Sequence, residues 1–81
     1  MLNPKITKVA PQDDFELLLV YETGERRRYD VKPCIRGPWM GELADPGYFS
    51  QVGLLMDGWS VCWPNGQDID PCDLYRESVA V

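Results

Sequence analysis

Between Trp63 and Tyr75 the chain has few conformational choices. Trp63-Pro64-Asn65-Gly66-Gln67-Asp68-Ile69-Asp70-Pro71 runs directly into Leu74 and Tyr75. An apolar strand ends there, Asn-Gly supplies a tight turn, and Asp-Pro opens a helix. Aspartate is a strong N-cap, and proline at the first helical position lacks a donor that would be orphaned anyway. Asp73 then falls in the first turn, where negative charge is favourable. Leu74, Tyr75 and Ser78 form the inward stripe of this last helix. The segment fixes the architecture of the C-terminal third and prescribes no reaction.

The rest of the chain reads as one continuous α+β unit without repeats or linkers. Ile6 to Ala10 is a strand and Pro11-Gln12-Asp13-Asp14 a turn. Phe15 to Glu22 is the clearest strand: Phe15, Leu17, Leu19 and Tyr21 share one face, and Leu18 and Val20 make the other partly apolar. Such a strand belongs in the middle of a sheet. Thr23-Gly24 closes a hairpin as a type I turn with Gly24 left-handed. The return strand, Glu25 to Val31, puts Arg27, Tyr29 and Val31 opposite Arg26, Arg28 and Asp30. Lys32 to Gly41 is irregular, Glu42-Leu43-Ala44 a helical turn, and Asp45-Pro46 the start of a short helix through Val52. Asp57-Gly58 predicts a second hairpin pairing Met56 with Trp59 and Leu54 with Val61, with those four side chains on one face.

Length and composition narrow the function classes. Eighty-one residues make one domain, 1–81, with one small core. No apolar run approaches the ~20 residues that cross a bilayer, and Met1 to Lys5 lacks a signal-peptide core, so a cytoplasmic protein is expected. There is no histidine, which removes the commonest general base and Ser-His-Asp or Cys-His chemistry within one chain. Cys34, Cys62 and Cys72 are odd in number and form no Cys-x-x-Cys pair, against both a disulfide framework and a zinc site. They read as small apolar side chains, with Cys72 at a helix start as the alternative reactive thiol. Charge is uneven. Residues 1–41 carry seven Lys/Arg and six Asp/Glu, whereas residues 42–81 carry Arg76 against seven acids, a net −6. An acidic half suits a basic partner surface or simple solubility, and it disfavours unassisted nucleic-acid binding.

Three constellations could carry chemistry. Asp68, Asp70 and Asp73 could hold a hard cation, or they serve as turn, cap and dipole residues. Arg26 and Arg28 next to Tyr29 loosely suggest a surface for single-stranded nucleic acid, or the charged face of an edge strand. Trp39 and Met40, between two glycines, suit an interface anchor, or Trp39 folds back as a lid. Trp59 and Trp63 read as core. No Gly-rich phosphate loop is present.

Across nearly the whole chain the residues resemble the small bacterial proteins grouped as domain of unknown function 2442. The matching parts are Pro4-Lys5-Ile6-Thr7-Lys8-Val9-Ala10-Pro11, the Phe15–Tyr21 strand with Thr23-Gly24-Glu25, and Tyr29-Asp30-Val31. Leu43 to Phe49, Val61 to Ile69 and Leu74-Tyr75 complete the pattern. The resemblance implies an α+β fold of antiparallel strands and short helices, with no established activity. Some such proteins look like modules joined to a helix-turn-helix, and some are similar to one partner of toxin–antitoxin-like gene pairs. Ending at Val81, this sequence leaves no room for a DNA-binding appendage, which counts against direct transcriptional regulation.

The expectation is therefore a single α+β domain, a small antiparallel sheet built from two β-hairpins with short helices. The expected function is a non-enzymatic, antitoxin-like or inhibitor-like interaction module without cofactor or metal. Trp39, Met40, Glu42, Asp68, Asp73 and Glu77 are the candidate contacts for a basic protein partner, and homodimerisation is a further expectation. The alternatives are a nucleic-acid accessory using Arg26, Arg28 and Tyr29, or a small metal-dependent enzyme on Asp68, Asp70 and Asp73.

Overall fold

The computed structural model describes residues 3–81; Met1 and Leu2, part of the segment read for a signal peptide, lie outside the described residues. The strands β1 (Ile6–Gln12), β2 (Glu16–Tyr21) and β3 (Arg26–Asp30) run antiparallel as neighbours. After β3 the chain turns through two short helices, α1 (Gly37–Met40) and α2 (Pro46–Phe49), then a small hairpin, β4 (Gly53–Leu55) and β5 (Ser60–Cys62). Helix α3 (Pro71–Arg76) leads into β6 (Val79–Ala80), which returns to β3 and gives the sheet order β1-β2-β3-β6.

The apolar period of β2 decides which side becomes core. Leu17, Leu19 and Tyr21 are buried and face Leu43, Phe49, Val61, Trp63 and Leu74 from the helices and the second hairpin. The α+β class and both hairpins are as expected, but the hairpins belong to separate sheets. Gly24 is left-handed at φ 92°, and the Tyr21 N–H donates to Glu25 O, the predicted type I turn with a glycine bulge. Asp45 and Asp70 cap α2 and α3 as expected: Asp45 accepts from Gly47 N–H, Asp70 from Cys72 and Asp73. Leu74 is buried and Tyr75 half-buried on α3, as predicted; Ser78 is buried too, but it lies past the end of the helix, which stops at Arg76.

Several local expectations are corrected. β1 continues through Pro11 and Gln12, because on an edge strand proline's missing donor faces outward. The turn then falls on Asp14 and Phe15, both left-handed, and Phe15 packs edge-on against Phe49 at 5.3 Å. Leu54 pairs with Val61 as predicted, but Met56 and Asp57 adopt positive φ. The loop therefore spans 56–59 and Met56 leaves the shared face, 68% exposed. Arg26, Arg27 and Arg28 do not lie on an edge strand, since β6 covers β3 at Arg27 and Arg28. Cys72 is exposed rather than interior, and Cys34 and Cys62 are half-buried.

The tyrosines beneath the sheet make stability sensitive to alkali. Burial pushes the Tyr21 hydroxyl up to about 12. Burial and then the neighbouring Cys34 thiol raise Tyr29, and a hydrogen bond to Glu25 raises Tyr75. Above pH 10, the ordinary tyrosine value, the unfolded chain has released these protons while the fold retains them. The unfolded state then binds fewer protons, so stability falls as pH rises. Urea midpoints are expected to be level below about pH 9 and to fall progressively between about pH 10 and 12. The Tyr21 hydroxyl has no hydrogen-bond partner among the described residues. Tyr21→Phe is therefore expected to change stability at neutral pH by less than ~1 kcal/mol and to flatten the alkaline slope. An unchanged slope would contradict this.

Candidate functional site

The most highly organised polar cluster surrounds Gln67, which is fully buried. Its backbone position is set by the Trp63–Gln67 turn. Gly66 N–H donates to Trp63 O, Trp63 N–H donates to Gln67 O, and Gly66 is left-handed. The turn is anchored in turn by the Trp63 indole N–H, which donates to Phe49 O at 2.9 Å. The carboxamide of Gln67 thereby points under α1. Its Nε2 donates to Trp39 O at 2.9 Å and to Glu42 Oε1 at 2.6 Å, and its Oε1 accepts from the Tyr48 hydroxyl at 2.6 Å. Both amide protons and the carbonyl are used, as a buried amide requires.

The network extends to the surface. Asn65 N–H donates to the Tyr48 hydroxyl at 2.8 Å, and Asn65 Nδ2 donates to Glu42 Oε1 at 3.0 Å. The Trp39 indole N–H donates to Asn65 O at 3.1 Å. Trp39 is 52% exposed, so it is neither lid nor core: its edge rests on the turn at Gly66 and the rest meets solvent. Beside Asn65 lies a shallow cleft of about 280 Å³ formed with Glu42, Asp45 and Tyr48.

The structure places the predicted contacts unevenly. Trp39 and Glu42 belong to this cluster. Met40 is half-buried against the core, because the helical turn directs it inward while Trp39 points out. Asp73, in the first turn of α3, and Glu77, just past its end, flank Arg76 and lie near Tyr29, away from this cluster. Asp68 is exposed and pairs with Cys62 in an isolated antiparallel bridge. Gln67, Tyr48, Asn65 and Asp45 were missed as site residues. Their link is non-local, and the signal available was a glutamine inside the most specific motif of the chain.

The structure also places the residues of the two alternatives. Tyr29 is only 5% exposed and faces the core, opposite the outward Arg26 and Arg28, because successive strand residues alternate sides; it offers no stacking platform to nucleic acid. Asp70 is occupied as a cap and Asp73 by Arg76. Among the described residues no three acidic, cysteine or histidine side chains converge to hold a metal ion. Titration calorimetry with Mg²⁺, Ca²⁺ and Mn²⁺ is expected to show no saturable heat at millimolar metal; a saturable isotherm lost in Asp68→Asn would restore that site. Trp63 is core as expected, whereas Trp59 is half-buried beneath the Lys5 ammonium, 5.2 Å from its ring.

Among the described residues no helix is long and apolar enough to cross a membrane. The profile of the family described as "Protein of unknown function (DUF2442)" matches residues 6–80, and the chain belongs to this family. No curated protein and no solved structure matches it.

Proposed function

We propose that this member of the family is a non-enzymatic protein-interaction module, antitoxin-like or inhibitor-like, that restrains a partner with a basic surface through Trp39 and the carboxylates beside it. One observation carries the reading: an indole more than half exposed is held by its own N–H bond to Asn65 O in the turn, while the buried side chain of Gln67 donates to the Trp39 carbonyl from below. Tryptophan is enriched at interface hot spots. Immobilising an anchor before association removes part of the ordering cost that binding otherwise incurs, about 0.5–1.5 kcal/mol per side chain. Glu42 and Asp45 border the same surface and suit lysine or arginine on the partner. The net −6 of residues 42–81, to which exposed Asp68 and Glu77 contribute, speeds encounter with a basic surface.

The test is affinity capture from a bacterial lysate with the wild-type chain and with Trp39→Ala. The wild type is expected to retain a basic protein that Trp39→Ala loses. Equal recovery of every captured protein by both baits would contradict the role of Trp39.

A further inference from the structure

The helices and the second hairpin all pack on one side of the four-stranded sheet. The other side is open, although its central strand carries Leu18 and Val20 there, both only half-buried. The register lays this face out in rows. Lys8, Val20 and Arg26 stand side by side across three strands, and Glu16 pairs with Asp30 four residues along. Between those rows lies an apolar band formed by Ala10, Leu18 and, beside Arg28, Val79, which is 63% exposed. The face therefore has a cationic end, a middle that is apolar except for Arg28, and an acidic end, about 13 Å apart end to end at ~3.3 Å per residue.

We infer that this face pairs with the same face of a second copy of this chain, the two related by a two-fold axis running across the strands. That operation sets Arg26 of each copy over Asp30 of the other, Lys8 over Gln12 and Leu18 over Leu18; it also brings Arg28 over Arg28, each guanidinium neutralised by Glu16 of its own chain. It is self-complementary, as a two-fold interface must be, and β-sheets stack face to face at ~10 Å with side chains interdigitating. Among the described residues Lys8 and Arg26 make no ion pair, whereas Arg28 holds Glu16 at 3.3 Å and Lys32 holds Asp30 at 2.9 Å. Both of those pairs are solvent-accessible and individually weak. Their carboxylates are fixed in place and can accept a second cation from the partner. In the pairing described, Arg26 of one copy meets Asp30 of the other. The patch is small beside a standard interface, so the dimer is a weak one that forms at high protein concentration. It uses a different surface from the Trp39 cluster.

Sedimentation equilibrium of the full chain at low salt, from about 10 µM to 1 mM, tests this. The average mass is expected to rise with concentration from one chain toward two. Arg26→Glu sets like charges against each other and is expected to weaken association at least ~10-fold. Combining it with Asp30→Arg exchanges the charges of the Arg26–Asp30 contact and should bring the dissociation constant back to within ~3-fold of wild type. Leu18→Lys should abolish pairing, and Trp39→Ala should leave it unchanged, so the two surfaces stand or fall separately. Thermal melts of each variant establish that it is folded. A single-chain mass at every concentration would overturn the pairing. So would a double reversal no better than Arg26→Glu alone, or salt-sensitive oligonucleotide binding by this face without self-association.

Discussion

Gly58→Ala is expected to destabilise the fold by ~3–5 kcal/mol, an effect at the upper end for a single substitution. Gly58 has φ 100°, and a Cβ built there would lie 2.3 Å from the backbone oxygen of Ile6. The conformation alone costs ~1–3 kcal/mol for an L-residue. The contact cannot be relieved by a side-chain rotation, because its other member is main chain at the start of β1, where Ile6 itself is buried in the core. Domains have roughly 0.05–0.15 kcal/mol of stability per residue, so such a loss leaves a chain of 81 residues close to unfolding. Gly24→Ala is the control. Gly24 has φ 92° with nothing within 4 Å of its Cβ position, so it should lose only the conformational part. Urea unfolding of both variants separates packing from strain; equal losses would mean that β1 yields and the close approach carries no cost.

Gln67→Leu is expected to cost ~2–4 kcal/mol although the volume is nearly conserved and the new side chain is apolar. The loss arises from what is left behind. The Tyr48 hydroxyl loses its acceptor, and Trp39 O and Glu42 lose a donor. Glu42 is exposed and recovers water, so most of the cost falls on the half-buried tyrosine and the Trp39 carbonyl. Tyr48→Phe removes one of those bonds and should cost less, about 1–2 kcal/mol. The same Gln67→Leu variant should free the turn beneath the indole, so that the Trp39 indole N–H exchanges with solvent faster than in the wild type, read by NMR. A stability loss without faster exchange at Trp39 would show that the glutamine supports the core and not the exposed surface.

The two substitutions also show where sequence reading succeeds and where it stops. Local chemistry was legible. Asp45 and Asp70 cap helices because their side chains reach backbone donors two or three residues ahead. Gly24 closes a hairpin because only a left-handed residue fits there, and Leu17, Leu19 and Tyr21 face inward because a strand alternates. Features set by distant partners were not legible. Met56 left its expected face because the loop had to bring Gly58 against Ile6, 52 residues away in the chain. β6 exists because α3 ends opposite the open side of β3. The burial of Gln67 follows from contacts with Trp39, Glu42 and Tyr48, 19 to 28 residues away. The site lay inside the motif that most constrained the fold, but its chemistry became visible only once α1 and α2 were packed on it.

The claim that this domain acts through its exterior, with Trp39 as anchor, is tested most directly by calorimetric titration of the purified captured partner against wild type, Trp39→Ala and Met56→Ala. Both substituted side chains are exposed large apolar groups, and only Trp39 is braced by the buried network. Trp39→Ala is expected to weaken binding at least ~30-fold, equivalent to a hot-spot loss of about 2 kcal/mol, with Met56→Ala within ~2-fold of wild type. Equal affinities for wild type and Trp39→Ala would contradict it.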